Sequence, residues 1–241
     1  MTTVPLRFAG QRRMARLREL TGRDEYAVAG ASTAMAIALL SALMEEGSAA
    51  DLVAADRDRL LAAVHLQAFG DRIESTLTCV KCGQPFDLNF SLRGLIDSID
   101  ARTPSAQWKA LGDGRFESAD GATIRLPTGS DELSVADLPS EEVEGVLRTR
   151  ADWPDDEVLE EVAPLLDLEL VAPCAECRHV HAIRFDIQSY FLTALAGERR
   201  RLLAEIHRLA IAYSWSLPEI LSLTRTDRRT FVELIQNERV A

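Results

Sequence analysis

All four cysteines of the 241-residue chain fall into two Cys-x-x-Cys pairs, Cys79-Val80-Lys81-Cys82 and Cys174-Ala175-Glu176-Cys177, and no other feature constrains the fold as strongly. A tight Cys-x-x-Cys turn presents two thiolates to one ion, and two such half-sites complete the sulfur tetrahedron that zinc takes in structural sites. Strand-like sequence enters and leaves each pair, so both read as knuckles at the tips of β-ribbons. Gly83 follows the first pair, where a knuckle often needs glycine's backbone freedom. Arg178 stands there in the second, at a cost of about 1 kcal/mol if its φ is positive. The expected cofactor is therefore one structural zinc per chain, on Cys79, Cys82, Cys174 and Cys177. A shell of four thiolates leaves no position for water, which makes such a site structural rather than catalytic. Two other readings stay open: redox work, and thiols without metal. A redox Cys-x-x-Cys opens a helix after a strand, which Gly83-Gln84-Pro85 does poorly. Disulfides within the pairs are disfavoured in a reducing cytoplasm.

The sequence after each pair recurs at an offset of 95 residues: Phe90 with Phe185, Ser91-Leu92 with Asp186-Ile187, and Leu95-Ile96 with Tyr190-Phe191. Upstream, Thr21-Gly22-Arg23-Asp24-Glu25 recurs as Thr128-Gly129-Ser130-Asp131-Glu132, at an offset of 107. Two matches in one order point to an internal duplication. Each half then reads alike. A short strand (Ala15–Leu20; Thr123–Leu126) leads into the Thr-Gly turn. The acidic residues after the turn sit where a helix start favours them, rather than as an acid–base pair. Helices follow at Ser32–Glu45 and Asp56–Phe69 in the first half, and at Ser140–Leu147 and Pro154–Val162 in the second. Leu60, Leu61, Val64 and Leu66 share a face of the Asp56–Phe69 helix. Strands Arg72–Thr78 and Gln84–Phe90 flank the first knuckle, and Leu166–Ala172 and His179–Phe185 the second. Asp120-Gly121 marks a hairpin between Arg115–Ser118 and Ala122–Leu126. His181 aligns with inward-facing Phe86 and reads as a core histidine rather than a ligand. His179 reads as a surface group or a neighbour of the ligands, and His65 and His207 carry no motif.

The last fifty residues lie outside the repeat and look helical. In Gly197–Tyr213 the residues Leu202, Leu203, Ile206, Leu209, Ala210 and Tyr213 make one apolar face. Ser216-Leu217-Pro218-Glu219 has capping-box form and should start a short helix through Leu223. A last helix, Thr226–Glu238, would bury Phe231, Leu234 and Ile235. The expected fold class is α+β: internally duplicated helix–strand–zinc-knuckle–strand units share a zinc-ribbon-like centre and carry a C-terminal helical element. The segments are 1–100 (first repeat), 101–188 (hairpin and second repeat) and 189–241 (helical tail).

The net charge of −11 opposes general affinity for nucleic acid or anionic membrane. Between Asp131 and Glu169 stand 14 acidic residues against Arg148 and Arg150, whereas the chain from Ser189 on holds 8 arginines and 6 acids. This unevenness reads as a solvated acidic face, or as two ends that meet oppositely charged neighbours. No run approaches the roughly 20 apolar residues of a bilayer span. The first residues lack the order of a secretory signal. The expected location is the cytoplasm. No Ser-His-Asp grouping or phosphate-cradling glycine loop appears, so no enzyme and no small-molecule substrate are expected.

His207-Arg208-Leu209-Ala210, Tyr213-Ser214-Trp215-Ser216, Glu219-Ile220-Leu221-Ser222-Leu223 and Arg228-Arg229 together resemble a pattern in baseplate and tail-assembly proteins of contractile phages and of phage-like contractile injection systems. The front half is similar too, through Thr-Gly-x-Asp-Glu, Gly70-Asp71-Arg72-Ile73 and Cys-x-x-Cys-Gly. Ser214 departs from the pattern, standing where an aromatic residue or histidine is common. The resemblance implies a structural or assembly component of a baseplate, with other baseplate or tail proteins as partners and incorporation into an assembled particle. Trp215 reads first as a core residue. Exposed beside Arg225, Arg228 and Arg229 it would suit an interface, and these four are the candidate partner contacts. The alternative is a zinc-ribbon adaptor for nucleic acid or transcription machinery, with the final helices as a helix-turn-helix. The acidic balance and the lack of aromatic interleaving oppose it.

Overall fold

The computed structural model describes residues 1–10, 13–102, 107–136, 138–139, 142–143, 145–146 and 155–238. It is an α+β fold with small antiparallel sheets. Strands β1 (Thr2–Pro5) and β2 (Met14–Leu17) pair, and helices α1 (Gly22–Ala27), α2 (Thr33–Leu43) and α3 (Ala54–Phe69) follow. A ribbon of β3 (Arg72–Thr78) and β4 (Pro85–Ser91) leads to α4 (Leu92–Asp100). A three-stranded meander then runs β5 (Trp108–Gly112), β6 (Arg115–Ser118) and β7 (Thr123–Arg125). After α5 (Gly129–Val135) and α6 (Asp156–Val162) comes the second ribbon, β8 (Asp167–Pro173) with β9 (Val180–Asp186). The chain ends in α7 (Ile187–Gly197), α8 (Arg199–Tyr213), α9 (Leu217–Ser222) and α10 (Arg225–Glu238). Among the described residues no helix is long and apolar enough to cross a membrane.

The elements start where the side chains supply caps. Ser91 and Asp186 stand at equivalent places before α4 and α7, and each accepts backbone N–H bonds from the first turn, Ser91 from Gly94 and Asp186 from Gln188 and Ser189. Helix α3 stops at Gly70, whose φ of +90° no side chain opposes. The hairpin at Asp120-Gly121 forms as expected, with Gly121 at φ +87° and Ser118 N–H donating to Ala122 O. The helix expected at Ser140–Leu147 falls largely outside the described residues, as does Pro154. Helices α4 and α7 were not anticipated at these bounds, although Leu92, Leu95, Ile96 and Ile99 show the period of a helix face.

The largest hydrophobic core joins β1, β2, α2, α3, β3 and α7, with Leu40, Leu60, Leu61, Ile73, Phe191 and Leu192 fully buried. A second cluster sits under the meander and α6, around Phe116, Ile124, Leu126 and Val162. The tail has its own, of Leu209, Ile220, Val232 and Ile235. Two expected core residues prove exposed: Leu203 and Leu234 lie on the solvent side of α8 and α10, and Val232 takes the inward place.

The first turn of α3 holds three consecutive buried ionisable residues, each reaching a different segment. Asp56 accepts the backbone N–H groups of Arg7 and Phe8, Arg57 pairs with Glu132, and Asp58 accepts the N–H of Leu166 at 2.9 Å. Burial pushes the Asp58 carboxyl up to about 7. The Leu166 N–H and Arg57 pull the other way, and Asp186 and Asp167 add to the rise. Because the folded value lies above the unfolded one, near 3.9, Asp58 favours folding most at low pH. That contribution is lost as pH rises through 7. His65 acts in the opposite sense. It is buried among Phe69, Tyr190 and Phe191 with neither ring nitrogen hydrogen-bonded, and burial lowers it to about 4, so its contribution is lost as pH falls. Asp58→Asn keeps the acceptor for Leu166 and removes the titration. The variant should be more stable than the wild type at pH 8 by about 2–4 kcal/mol. That advantage should shrink toward pH 4, as read by urea unfolding across the range.

Candidate metal centre

The two ribbons face each other across a small apolar cluster. Strand alternation places Ile73, Leu77, Phe86, Leu88 and Phe90 on the inner side of one, and Ala172, Ile183 and Phe185 on the inner side of the other. At the base, Phe90 meets Phe185 edge to face at 5.0 Å, and the Tyr190 hydroxyl donates to Glu74 O at 2.9 Å. At the tips the cysteines converge. Cys79 Sγ lies 3.6 Å from Cys177 Sγ, Cys82 Sγ lies 3.8 Å from Cys174 Sγ, and all four sulfurs fall within 4.8 Å of one another. None is in a disulfide. The group could hold one metal ion.

The two knuckles have the same backbone. Cys79 N–H donates to Gln84 O and Gly83 N–H to Cys79 O; Cys174 N–H donates to His179 O and Arg178 N–H to Cys174 O. Gly83 takes φ +73° and Arg178 φ +58°, so the second knuckle does hold a non-glycine residue in the left-handed region. Shielding is uneven. Cys79 and Cys174 are each 1% exposed, Cys177 is half-buried, and Cys82 faces solvent. Burial pushes the Cys79 thiol up, but the N–H groups of Cys82 and Lys81 and the His181 side chain outweigh it and bring it down to about 5. For Cys82 the Gln84 N–H acts downward, yet burial and the three neighbouring sulfurs raise it to about 12. His181 Nε2 lies 3.3 Å from Cys79 Sγ, with its ring stacked on Phe86 at 4.6 Å and His179 edge-on at 4.8 Å.

The candidate partner contacts are a different matter. Arg228 is fully buried and Arg225 is 6% exposed. Arg228 donates to Glu25 Oε1 and to Glu205 Oε2, both at 2.7 Å, and Arg225 to Glu198 Oε2 at 2.6 Å. Arg229 also turns to Glu198, at 2.8 Å. Arg225 and Arg228 are corrected from outward contacts to an internal ion-pair cluster that ties the tail to α1, because a buried guanidinium is tolerable only when carboxylates surround it, whereas the Arg229 side chain stays 29% exposed at its rim. Trp215 stacks on Tyr213 at 4.8 Å and meets Phe231 edge to face at 5.1 Å, half-buried against the tail core.

Each Thr-Gly-x-Asp-Glu turn proves to be one half of a docking joint. Asp24 takes two bonds from Arg18, at 2.6 and 2.9 Å, and caps Thr21; Asp131 does the same with Arg125 and Thr128. Gly22 N–H donates to Leu223 O and Gly129 N–H to Leu52 O. The neighbouring Thr21 bridges to Thr224, and Thr128 to Val53. Glu25 then meets Arg228, and Glu132 meets Arg57. A Cβ on Gly22 would lie 3.0 Å from Arg228 Nη1, and one on Gly129 would lie 2.5 Å from Arg57 Nη1, so each glycine leaves the notch its arginine occupies. The signal was present in sequence: Leu52 to Arg57 and Leu223 to Arg228 both read Leu-x-x-x-Asp-Arg. No protein family, curated protein or solved structure matches the chain.

Proposed function

We propose that the protein is a non-enzymatic structural or assembly component of a baseplate in a phage-like contractile injection system, stapled by one structural zinc. The observation that carries the zinc is the meeting of four sulfurs from knuckles more than ninety residues apart. With Zn–S bonds of about 2.3 Å, a sulfur tetrahedron has edges of about 3.8 Å. Two of the sulfur pairs are 3.6 and 3.8 Å apart and all lie within 4.8 Å, so the donor set and its spacing fit that ion. Four thiolates leave it no open position, which gives it the role of a cross-link and no reaction.

The baseplate assignment is supported by the resemblance of the tail, from His207 to Arg229, and of the front half. We read the two Thr-Gly-x-Asp-Glu joints and the two knuckle ribbons as products of an internal duplication that yields a rigid body. An adaptor for nucleic acid would gain from a basic, exposed face on the last helix, and Arg225 and Arg228 turn inward to Glu25 instead.

Mass spectrometry of the intact, non-denatured protein tests the metal: one zinc per chain is expected, and none overturns the staple. The assembly reading is tested by purifying tagged protein from cells that make the complete particle. Sheath, tube or baseplate subunits are expected to accompany it, and their consistent absence overturns that reading while leaving the zinc untouched.

A further inference from the structure

The two knuckles share a backbone but differ at one inward position. At the offset of 95 residues that relates the cysteines, Phe86 in the first ribbon corresponds to His181 in the second. The two rings stack on each other, interplanar angle 24°, over the cysteine cluster, and Nε2 of His181 lies 3.3 Å from the sulfur of Cys79. His181 pairs with Ala172 in the β8–β9 register, which turns it toward the opposite ribbon. Cys79 is closed to solvent, so its sulfur must find its hydrogen-bond donors within the protein.

Resting on the zinc reading above, we infer that His181 is a positioning residue for the metal. It donates an Nε2–H hydrogen bond to the Cys79 thiolate across the ribbon interface, and thereby sets the affinity of the site. The chemistry is that of an excess of negative charge. Four thiolates around a doubly positive ion leave a net charge of about −2. Donors to the buried sulfurs disperse that charge and hold the ligands in place. A metal-bound thiolate can only accept, so the imidazole must carry its proton on Nε2, and the stacked Phe86 ring fixes the plane in which it points. Phe86 itself has no N–H to offer. The two halves of the centre are therefore chemically unequal, with His181 serving as donor to the first knuckle and Phe86 offering none to the second.

The test compares wild type, His181→Phe and His181→Gln by zinc competition against a chromogenic chelator and by the visible spectrum after Co²⁺ substitution. Phenylalanine already fills the matching position 86, so His181→Phe preserves the packing. It should bind zinc about 10–100-fold more weakly and move the sulfur-to-cobalt charge-transfer band to longer wavelength. Glutamine, which can place an N–H near the same point, should recover most of the affinity and the band position. Unchanged affinity and spectrum in His181→Phe overturn the inference while leaving the zinc staple standing. A wild-type spectrum of three-thiolate intensity, with Cys82→Ser binding as well as wild type, makes His181 a ligand and also overturns it. Wild-type protein that takes up no metal overturns the staple, and the inference with it.

Discussion

Replacing Cys174 with serine should abolish stoichiometric metal binding and lower the melting temperature by about 10–20 °C. Chelation should do the same to the wild type and nothing further to the variant. The size follows from what the metal holds. In small zinc peptides the ion supplies about 10–16 kcal/mol and is the whole of folding. Here the ribbons grow from a large core that contains Ile73, Phe185 and Phe191, so only their distal halves depend on the staple. Beyond the base, the interface is a short cluster of Leu77, Phe86, Leu88, Ala172 and Ile183. A loss of about 5 kcal/mol is then expected, at roughly 2–4 °C per kcal/mol for a chain of this size. Hydrogen exchange should locate it, with amides of β3, β4, β8 and β9 near the knuckles opening while α3 and α7 stay protected. A serine variant that melts with the wild type and keeps its zinc would remove the metal from the architecture altogether.

Glu25→Ala should cost about 3–5 kcal/mol, because it leaves the guanidinium of Arg228 without one of its two carboxylates inside the protein. Arg228 has no exposure through which water could substitute, and Arg225 nearby loses the same partner. The matched removal of Glu25→Leu with Arg228→Met should recover part of the loss, since it replaces one buried ion pair by apolar groups while Glu205 loses Arg228 and keeps Arg201 and Arg229 at 3.4 and 3.7 Å. Urea denaturation of Glu25→Leu, Arg228→Met and the double variant closes the cycle. If Glu25→Ala is as stable as wild type, the tail is not fastened through this cluster. The equivalent change Glu132→Ala should cost less, because the Glu132 side chain is 29% exposed and water can reach Arg57 there more easily.

The convergence of the four cysteines was legible because cysteine spacing is a local signal with few alternative uses. The strands around each knuckle fall within a residue or so of their expected bounds, since alternation of Phe86, Leu88 and Phe90 has no good helical reading. The fate of Arg225 and Arg228 was not legible. An arginine in an amphipathic tail looks the same in sequence whether it faces water or a glutamate 203 residues away. His181 was placed correctly as inward-facing, yet its contact with Cys79 depends on how two separate ribbons meet, which no periodicity reports. The Thr-Gly-x-Asp-Glu turns were read as helix starts, which they are. That reading explained Asp24 and Asp131 but not the glutamates, whose partners sit on other helices.

The pairing pattern also orders events during synthesis. At about 5–20 residues per second, the 92 positions between Cys82 and Cys174 take roughly 5–20 s to make, so the first knuckle leaves the ribosome as a two-thiol half-site and waits. The second Thr-Gly turn finds Leu52 and Arg57 already made, and can dock at once. The first turn cannot, because Arg228, the partner of Glu25, is made 203 residues later. Helix α10 therefore closes over α1, made about 200 positions earlier, and a nascent polypeptide interrupted between the two keeps Glu25 and Gly22 uncovered.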